Sequence, residues 1–115
     1  MLITVNMPAE TTAVVTLDGK FTIEDVLHFR TKTAPLMHTG MKAILLCCSK
    51  VEFIDSSGIG SLILLMNTAR NQGIDLVLYD MQDAITKVFK TAFLDKFFRI
   101  LTLDEARKSF PGAGI

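Results

Sequence analysis

A run of apolar residues at 43–48 constrains the fold more than any other feature of the sequence. The run is continuous and has the length of a strand, so it predicts a central strand that is covered on both faces, as strands of parallel sheets are. Residues 57–72, rich in Leu, Ile and Met, predict a helix that Gly73 ends. A buried strand followed by a helix is typical of an α/β domain.

The segment before this run predicts an N-terminal hairpin. Residues 2–5 and 13–17 are rich in strand-forming side chains, with a turn expected between them. Asp18 and Gly19 are expected to end the second strand, because both residues are depleted in strands.

Thr22 is suited to cap a helix, because its hydroxyl can accept a hydrogen bond from a free amide of the first turn. Glu24 and Asp25 follow at the positive end of the helix dipole. Ile23, Val26, Leu27 and Ala34 keep the spacing of an apolar helix face, and Pro35 is expected to mark the last turn or a break.

The second half of the chain continues the alternation of strands and helices. Strands are predicted at 74–79 and 97–101, and a helix at 81–91. Residues 102–105 have a capping-box pattern that opens a last helix. We therefore predict a single α/β domain over residues 1–115, with a mixed sheet of about five strands and about four helices. Residues 111–115 are expected to form a frayed tail.

Composition excludes several classes of function. Twelve acidic residues balance twelve basic ones and no stretch is strongly basic, which argues against a nucleic acid as partner. No apolar run approaches the ~18 residues of a membrane span, and no export signal is visible, so we expect a cytoplasmic protein without membrane insertion.

Cysteine and histidine usage favours neither a disulfide nor a metal site. Cys47 and Cys48 are adjacent, so on a strand they point to opposite faces, and we expect two free thiols. His28 and His38 have no carboxylate or cysteine at a spacing typical of metal ligands. We therefore expect no metal and no cofactor.

The segment DSSGIG at 55–60, which follows a predicted connector at 49–53, is the candidate site. A nucleophile elbow would need a glycine two residues before the serine, where Ile54 and Asp55 stand. A dinucleotide loop would need a third glycine where Ile63 stands, so nucleotide binding is weakly supported. Two readings remain open: a helix cap by Asp55 or Ser56, with glycines that allow close helix packing, and a regulatory phosphorylation site.

The segment CSKVEFIDSSGI at 48–59 closely resembles the signature of the STAS family, and within it the single-domain anti-sigma-factor antagonists of bacteria. The N-terminal hairpin and the segments at 85–89 and 94–100 are similar to that family as well. The resemblance covers nearly the whole chain and implies a single STAS-like domain.

The resemblance implies a switch between protein partners rather than an enzyme. Ser56 would be phosphorylated by a partner anti-sigma factor that is itself a serine kinase, and a serine phosphatase would reset the switch. Asp55 would fix or polarise the acceptor. The docking loop would comprise Asp55, Ser56, Ser57, Gly58, Ile59 and Thr22.

One departure from the family pattern bears on this function. Many antagonists carry an aspartate after the second strand, and Thr22 stands at that position here, with Lys20 in place of a glutamate. If that carboxylate assists phosphoryl transfer or kinase docking, this chain is a poor kinase substrate or uses a different kinase. The alternative is a constitutive scaffold subunit of a larger complex, such as a phospholipid-transport ATPase, that does not depend on phosphorylation.

Overall fold

Every predicted strand and helix is present in the computed structural model, which describes residues 1–115. The strands are β1 (Leu2–Ala9), β2 (Thr12–Phe21), β3 (Ala43–Ile54), β4 (Asp75–Tyr79) and β5 (Arg99–Leu101). The α-helices are α1 (Val26–Thr33), α2 (Ser56–Asn71), α3 (Asp83–Thr91) and α4 (Leu103–Ser109). Short 3₁₀ turns are formed by Ile23–Asp25, Ala34–Leu36 and Pro111–Ala113.

The five strands form one mixed sheet in the order β1-β2-β3-β4-β5. β1 and β2 are antiparallel, and all other neighbours are parallel. This topology confirms the predicted α/β fold, with an N-terminal hairpin followed by parallel strands.

Residues from both faces of β3 are buried, as its apolar run predicts. Ile44, Leu46 and Cys48 belong to the larger core cluster, which also contains side chains of α1, α2 and α3. Leu45 belongs to a smaller cluster that contains Ala106 of α4. Helices therefore cover both faces of the sheet, and Cys47 and Cys48 are free thiols on opposite faces.

The two central strands are longer than predicted. β2 does not end at Asp18 and Gly19, and residues 49–53 belong to β3 rather than to a connector. The two extensions pair with each other, with Gly19 opposite Val51, so each strand supplies hydrogen-bond partners to the other. Gly19 has φ +116°, which a glycine adopts readily, and the register shifts there as it does at a bulge.

The C-terminal residues are packed, which corrects the prediction of a frayed tail at 111–115. Ala113 is only 2% exposed, and Ile115 packs against the smaller cluster. The reason is that α4 is short, so part of the second face of the sheet is covered by the segment that follows it.

Two apolar residues of the first helical segment face solvent rather than the core. Ile23 is 65% exposed and Leu27 is 73% exposed, whereas Phe29 of the same helix is buried. Helical spacing identifies an apolar stripe, but it does not determine which residues of the stripe are covered.

No helix combines the length and the apolarity that a membrane crossing requires.

Candidate functional site

The candidate site lies where β2 and β3 end side by side. Phe21 pairs with Ile54 in the last rung of the parallel ladder, and the amide of Asp55 donates to the carbonyl of Phe21 at 3.1 Å. Two helical segments start directly after these strands. The sheet therefore brings Thr22 and Asp55, which are far apart in sequence, to the same edge.

Asp55 holds the two helix starts together. Its carboxylate Oδ1 accepts a hydrogen bond from the amide of Gly58 at 2.9 Å, which makes Asp55 the N-cap of α2. Its Oδ2 accepts from the amide of Ile23 at 3.1 Å, in the first turn of the other helical segment. One side chain thus satisfies a free amide at each helix start, and we call this pair of bonds the Asp55 bridge.

Ser56 is the first residue of α2 and is exposed. Both oxygens of Asp55 are bonded to backbone amides, and no side chain is hydrogen-bonded to the Ser56 hydroxyl. Asp55 therefore fixes the start of α2 and makes no hydrogen bond to the Ser56 hydroxyl. The helix offers no acceptor to the amides of Ser56 and Ser57, so its positive end faces this position.

The rest of the predicted docking loop is less accessible. Ser57 and Ile59 are half-buried, and Gly58 is buried. The carbonyl of Ser57 accepts a hydrogen bond from the Ser61 hydroxyl at 3.0 Å. Of the four residues 56–59, only Ser56 is fully available to a partner.

Gly58 permits the close approach of α2 to the sheet. A Cβ at this position would lie 2.7 Å from the carbonyl oxygen of Phe21 and 2.8 Å from Cγ1 of Ile54. At Gly60 the same atom would meet nothing within 4 Å. The prediction that the glycines allow close packing is confirmed for Gly58 and wrong for Gly60.

Thr22 is the N-cap of the Ile23–Asp25 turn, as predicted. Its hydroxyl accepts from the amide of Glu24 at 3.4 Å and donates to Asp25 at 3.2 Å, while its own amide donates to Asp25 at 2.9 Å. The bond from the Thr22 amide lowers the pKa of Asp25, and the amino group of Met1, 3.0 Å away, acts in the same direction, although burial opposes both. The side chain of Thr22 makes no hydrogen bond to Ser56.

Two exposed apolar residues lie at the edge of the sheet where α2 begins. Ile23 is tied to the start of α2 through the Asp55 bridge, and Phe53, which is 49% exposed, is the second-last residue of β3. Sequence reasoning missed the exposure of both, because it placed Ile23 on an apolar helix face and Phe53 in a connector. The strand-forming residues Val51 and Phe53 were the available signal that β3 continues.

The fold and the site define an α/β domain that presents an exposed serine hydroxyl at the start of a rigidly capped helix. No group of three or more His, Cys, Asp or Glu side chains is placed to hold a metal ion. The STAS domain family model matches residues 5–107, and the chain belongs to this family.

Solved structures agree with this assignment at the level of the fold. The anti-sigma factor antagonist SpoIIAA in its unphosphorylated form is 22% identical with a TM-score of 0.79, over 99% of this chain and 100% of that one. The Bacillus cell fate determinant SpoIIAA in the phosphorylated form is 23% identical with a TM-score of 0.72, over 94% and 98%. A sulfate transporter family protein from Wolinella succinogenes is 16% identical with a TM-score of 0.76, over 88% and 85%.

Proposed function

We propose that this chain is an anti-sigma-factor antagonist whose binding to its partner is controlled by phosphorylation of Ser56. The observation that carries the proposal is the exposed, unbonded hydroxyl of Ser56 at a helix start that Asp55 already holds in place. The likeness to SpoIIAA, known in a phosphorylated and an unphosphorylated form, supports the same assignment.

A phosphate on Ser56 is compatible with the fold. It adds about −1.5 to −2 charges at neutral pH. The positive end of the α2 dipole and the amides of Ser56 and Ser57 favour an anion at this position. Because Ser56 makes no side-chain hydrogen bond, its modification breaks no hydrogen bond of the domain.

The same phosphate opposes binding of the partner. In the unphosphorylated state the partner, an anti-sigma factor with serine kinase activity, contacts Ser56 together with the exposed side chain of Ile23. The added charge lies beside the Asp55 carboxylate and must lose solvent in this partly apolar interface. A loss of about 3–4 kcal/mol corresponds to a roughly 150–1000-fold weaker affinity.

The remaining residues of the predicted loop support this surface. Asp55 and Gly58 set the position of α2, Thr22 caps the neighbouring turn, and Ser57 and Ile59 contribute partly exposed surface. The kinase supplies the phosphoryl group and a serine phosphatase removes it, so this chain needs no catalytic residue or cofactor of its own. Such a cycle takes place in the cytoplasm.

A constitutive scaffold is the second candidate function. Thr22 stands where many antagonists have an aspartate, and its side chain is fully used as a helix cap. The similarity to a sulfate transporter family protein indicates that the fold also occurs outside antagonists. In this case the same surface binds its partner whatever the state of Ser56.

A paired pull-down separates the two candidates. Ser56→Ala and Ser56→Asp proteins serve as baits, and partners are identified by mass spectrometry. Ser109→Ala and Ser109→Asp serve as matched controls, because Ser109 is an exposed serine at the end of α4, outside the site. We expect a kinase-like protein on the Ser56→Ala bait that the Ser56→Asp bait loses, with no difference between the two Ser109 baits. Equal capture by both Ser56 baits contradicts the switch and favours the scaffold.

A further inference from the structure

A groove of about 240 Å³ separates α1 and α2 on the outer surface of the domain. Phe29, Thr33 and Leu65 are its buried lining residues, and Leu64, which is 53% exposed, lies where the groove meets solvent. Along α2 the lining runs from Ser61 to Thr68, which is about two turns or ~10 Å of helix.

The hydroxyl groups that line the groove are already engaged. Thr33, Ser61 and Thr68 each donate to the carbonyl four residues earlier, at 2.9, 3.0 and 3.0 Å. Their hydroxyl donors are therefore satisfied within their own helices. An occupant meets mainly the apolar side chains of the groove.

Arg30 is the exception. It is the only charged residue in the lining, it is exposed, and it takes part in neither of the two ion pairs of the chain, which join Met1 with Asp25 and Arg99 with Asp75. Its guanidinium makes no hydrogen bond to another residue, although its backbone carbonyl accepts from the amide of Ala34. An occupant that pairs with Arg30 while covering the apolar lining needs an apolar surface and one negative charge.

The size of the groove favours side chains of a protein over a small molecule. Pockets for drug-sized ligands occupy about 300–1,000 Å³, whereas a cavity of ~150 Å³ already holds a benzene ring. The groove thus accommodates one or two apolar side chains. Its length matches a short amphipathic helix that presents apolar anchors at spacings of three, four and seven residues.

We propose that the groove between α1 and α2 binds an amphipathic helix of a partner protein, whose apolar face covers Phe29, Leu64 and Leu65 and whose acidic side chain pairs with Arg30. The groove begins at Ser61, about 7.5 Å along α2 from Ser56. It therefore forms a second contact surface, and the proposal does not rest on the phosphorylation of Ser56.

The test is a selection of helix-favouring 14-residue peptides from a displayed library on the full-length protein. We expect enriched peptides with two or three apolar residues on one face and an Asp or Glu beside them. Arg30→Glu should weaken binding of the tightest acidic peptide at least tenfold. The same variant should bind more tightly to a peptide in which Lys replaces the acidic residue. Leu64→Arg should abolish binding, whereas Leu2→Arg, an equally exposed leucine on β1 outside the lining, should leave it unchanged.

Unfolding temperatures of Arg30→Glu, Leu64→Arg and Leu2→Arg establish that these variants are folded. We expect them to fold because all three positions are exposed. Ser56→Asp should bind the selected peptides within twofold of the unsubstituted protein, which separates this proposal from the phosphorylation switch. Decanoate, which has an apolar chain and one negative charge, tests whether the groove binds a small amphiphile instead of a peptide. The proposal is overturned if no peptide is enriched, if enriched peptides ignore Leu64→Arg or Arg30→Glu, or if decanoate occupies the groove more tightly than any peptide.

Discussion

The two helix starts at the edge of the sheet use their polar groups differently. At the first, Thr22 and Asp25 form a capping box, in which the Thr22 hydroxyl both accepts and donates a hydrogen bond. The second oxygen of Asp25 is paired with the amino group of Met1. The only side-chain hydroxyl of this cap is therefore engaged.

At the second helix start, the cap and the exposed hydroxyl belong to different residues. Asp55 caps α2 and reaches the amide of Ile23, while Ser56 stays exposed and unbonded. Thr22 and Ser56 both carry a hydroxyl at a helix N-terminus, but only the hydroxyl of Ser56 can be modified without breaking a cap. The difference teaches that the hydrogen-bond state of a hydroxyl, rather than its residue type, distinguishes a structural cap from the position that we propose is phosphorylated.

The largest effect is expected from a substitution in the first turn of α2. Gly58→Ala places a methyl group 2.7 Å from a backbone carbonyl that cannot rotate away, so we expect it to lower the free energy of unfolding by about 3 kcal/mol. Gly60→Ala is the matched control; it meets open space and should stabilise the helix by about 0.5–1 kcal/mol. Urea unfolding measures both, and similar values for the two variants would contradict the packing role of Gly58.

The Asp55 bridge should contribute more stability than the Thr22 cap. Asp55→Ala removes two hydrogen bonds to backbone amides and should cost about 2 kcal/mol of unfolding free energy. Asp55→Asn should lower the free energy of unfolding by about half as much. The amides of Gly58 and Ile23 are both donors, and an asparagine side chain offers only one acceptor oxygen. The same unfolding experiment checks both values, and an Asn variant as stable as the unsubstituted protein would mean that one of the two bonds is dispensable.

Thr22→Ala should cost about 1 kcal/mol, because it removes one N-cap. Thr22→Ser is the matched control and should retain most of the stability, since its hydroxyl can both accept from the amide of Glu24 and donate to Asp25. A larger loss for Thr22→Ala than for Asp55→Ala would reverse the order that the hydrogen bonds predict.

Acid should weaken the first helix start. The amide of Thr22 lowers the pKa of Asp25 below its ordinary value of 3.8. The resulting stabilisation is present above pH 3.8 and is lost as the pH falls below it through the folded pKa. Asp25→Asn should flatten this part of the stability profile, measured by urea unfolding between pH 2 and pH 6.

Glu105 provides the comparison for this experiment, because its pKa is lowered in the same way by the amide of Thr102 at the start of α4. Glu105→Gln should remove a separate part of the acid sensitivity. If the profile of Asp25→Asn coincides with that of the unsubstituted protein, the Asp25 carboxylate does not stabilise the first helix start.

Local patterns in the sequence predict the elements and the caps of this fold well. The apolar run gives the central strand, and Thr22, Asp55 and Thr102 are all N-caps, as their residue types and positions indicate. Capping depends on neighbours within one turn, so the information is local. The identity of the exposed hydroxyl follows from the same local information once Asp55 is recognised as the cap.

Features that depend on distant partners are not predictable in this way. Gly19 continues β2 because β3 lies beside it, and Ala113 is buried because the second face of the sheet needs cover. Ile23 faces solvent next to the site, although its spacing suggests a core position. The Asp55 bridge also joins residues 32 positions apart, and only the parallel pairing of β2 and β3 brings them together.

The most direct test of the account incorporates phosphoserine at position 56 and, as a comparison, at position 57. For each protein the unfolding temperature and the affinity for the partner captured by Ser56→Ala are measured. We predict that the protein phosphorylated at Ser56 unfolds within a few degrees of the unmodified protein and binds the partner at least 100-fold more weakly, whereas a phosphate on the half-buried Ser57 lowers the unfolding temperature. Unchanged affinity, or unfolding of the domain by phosphate at Ser56, would contradict the central claim.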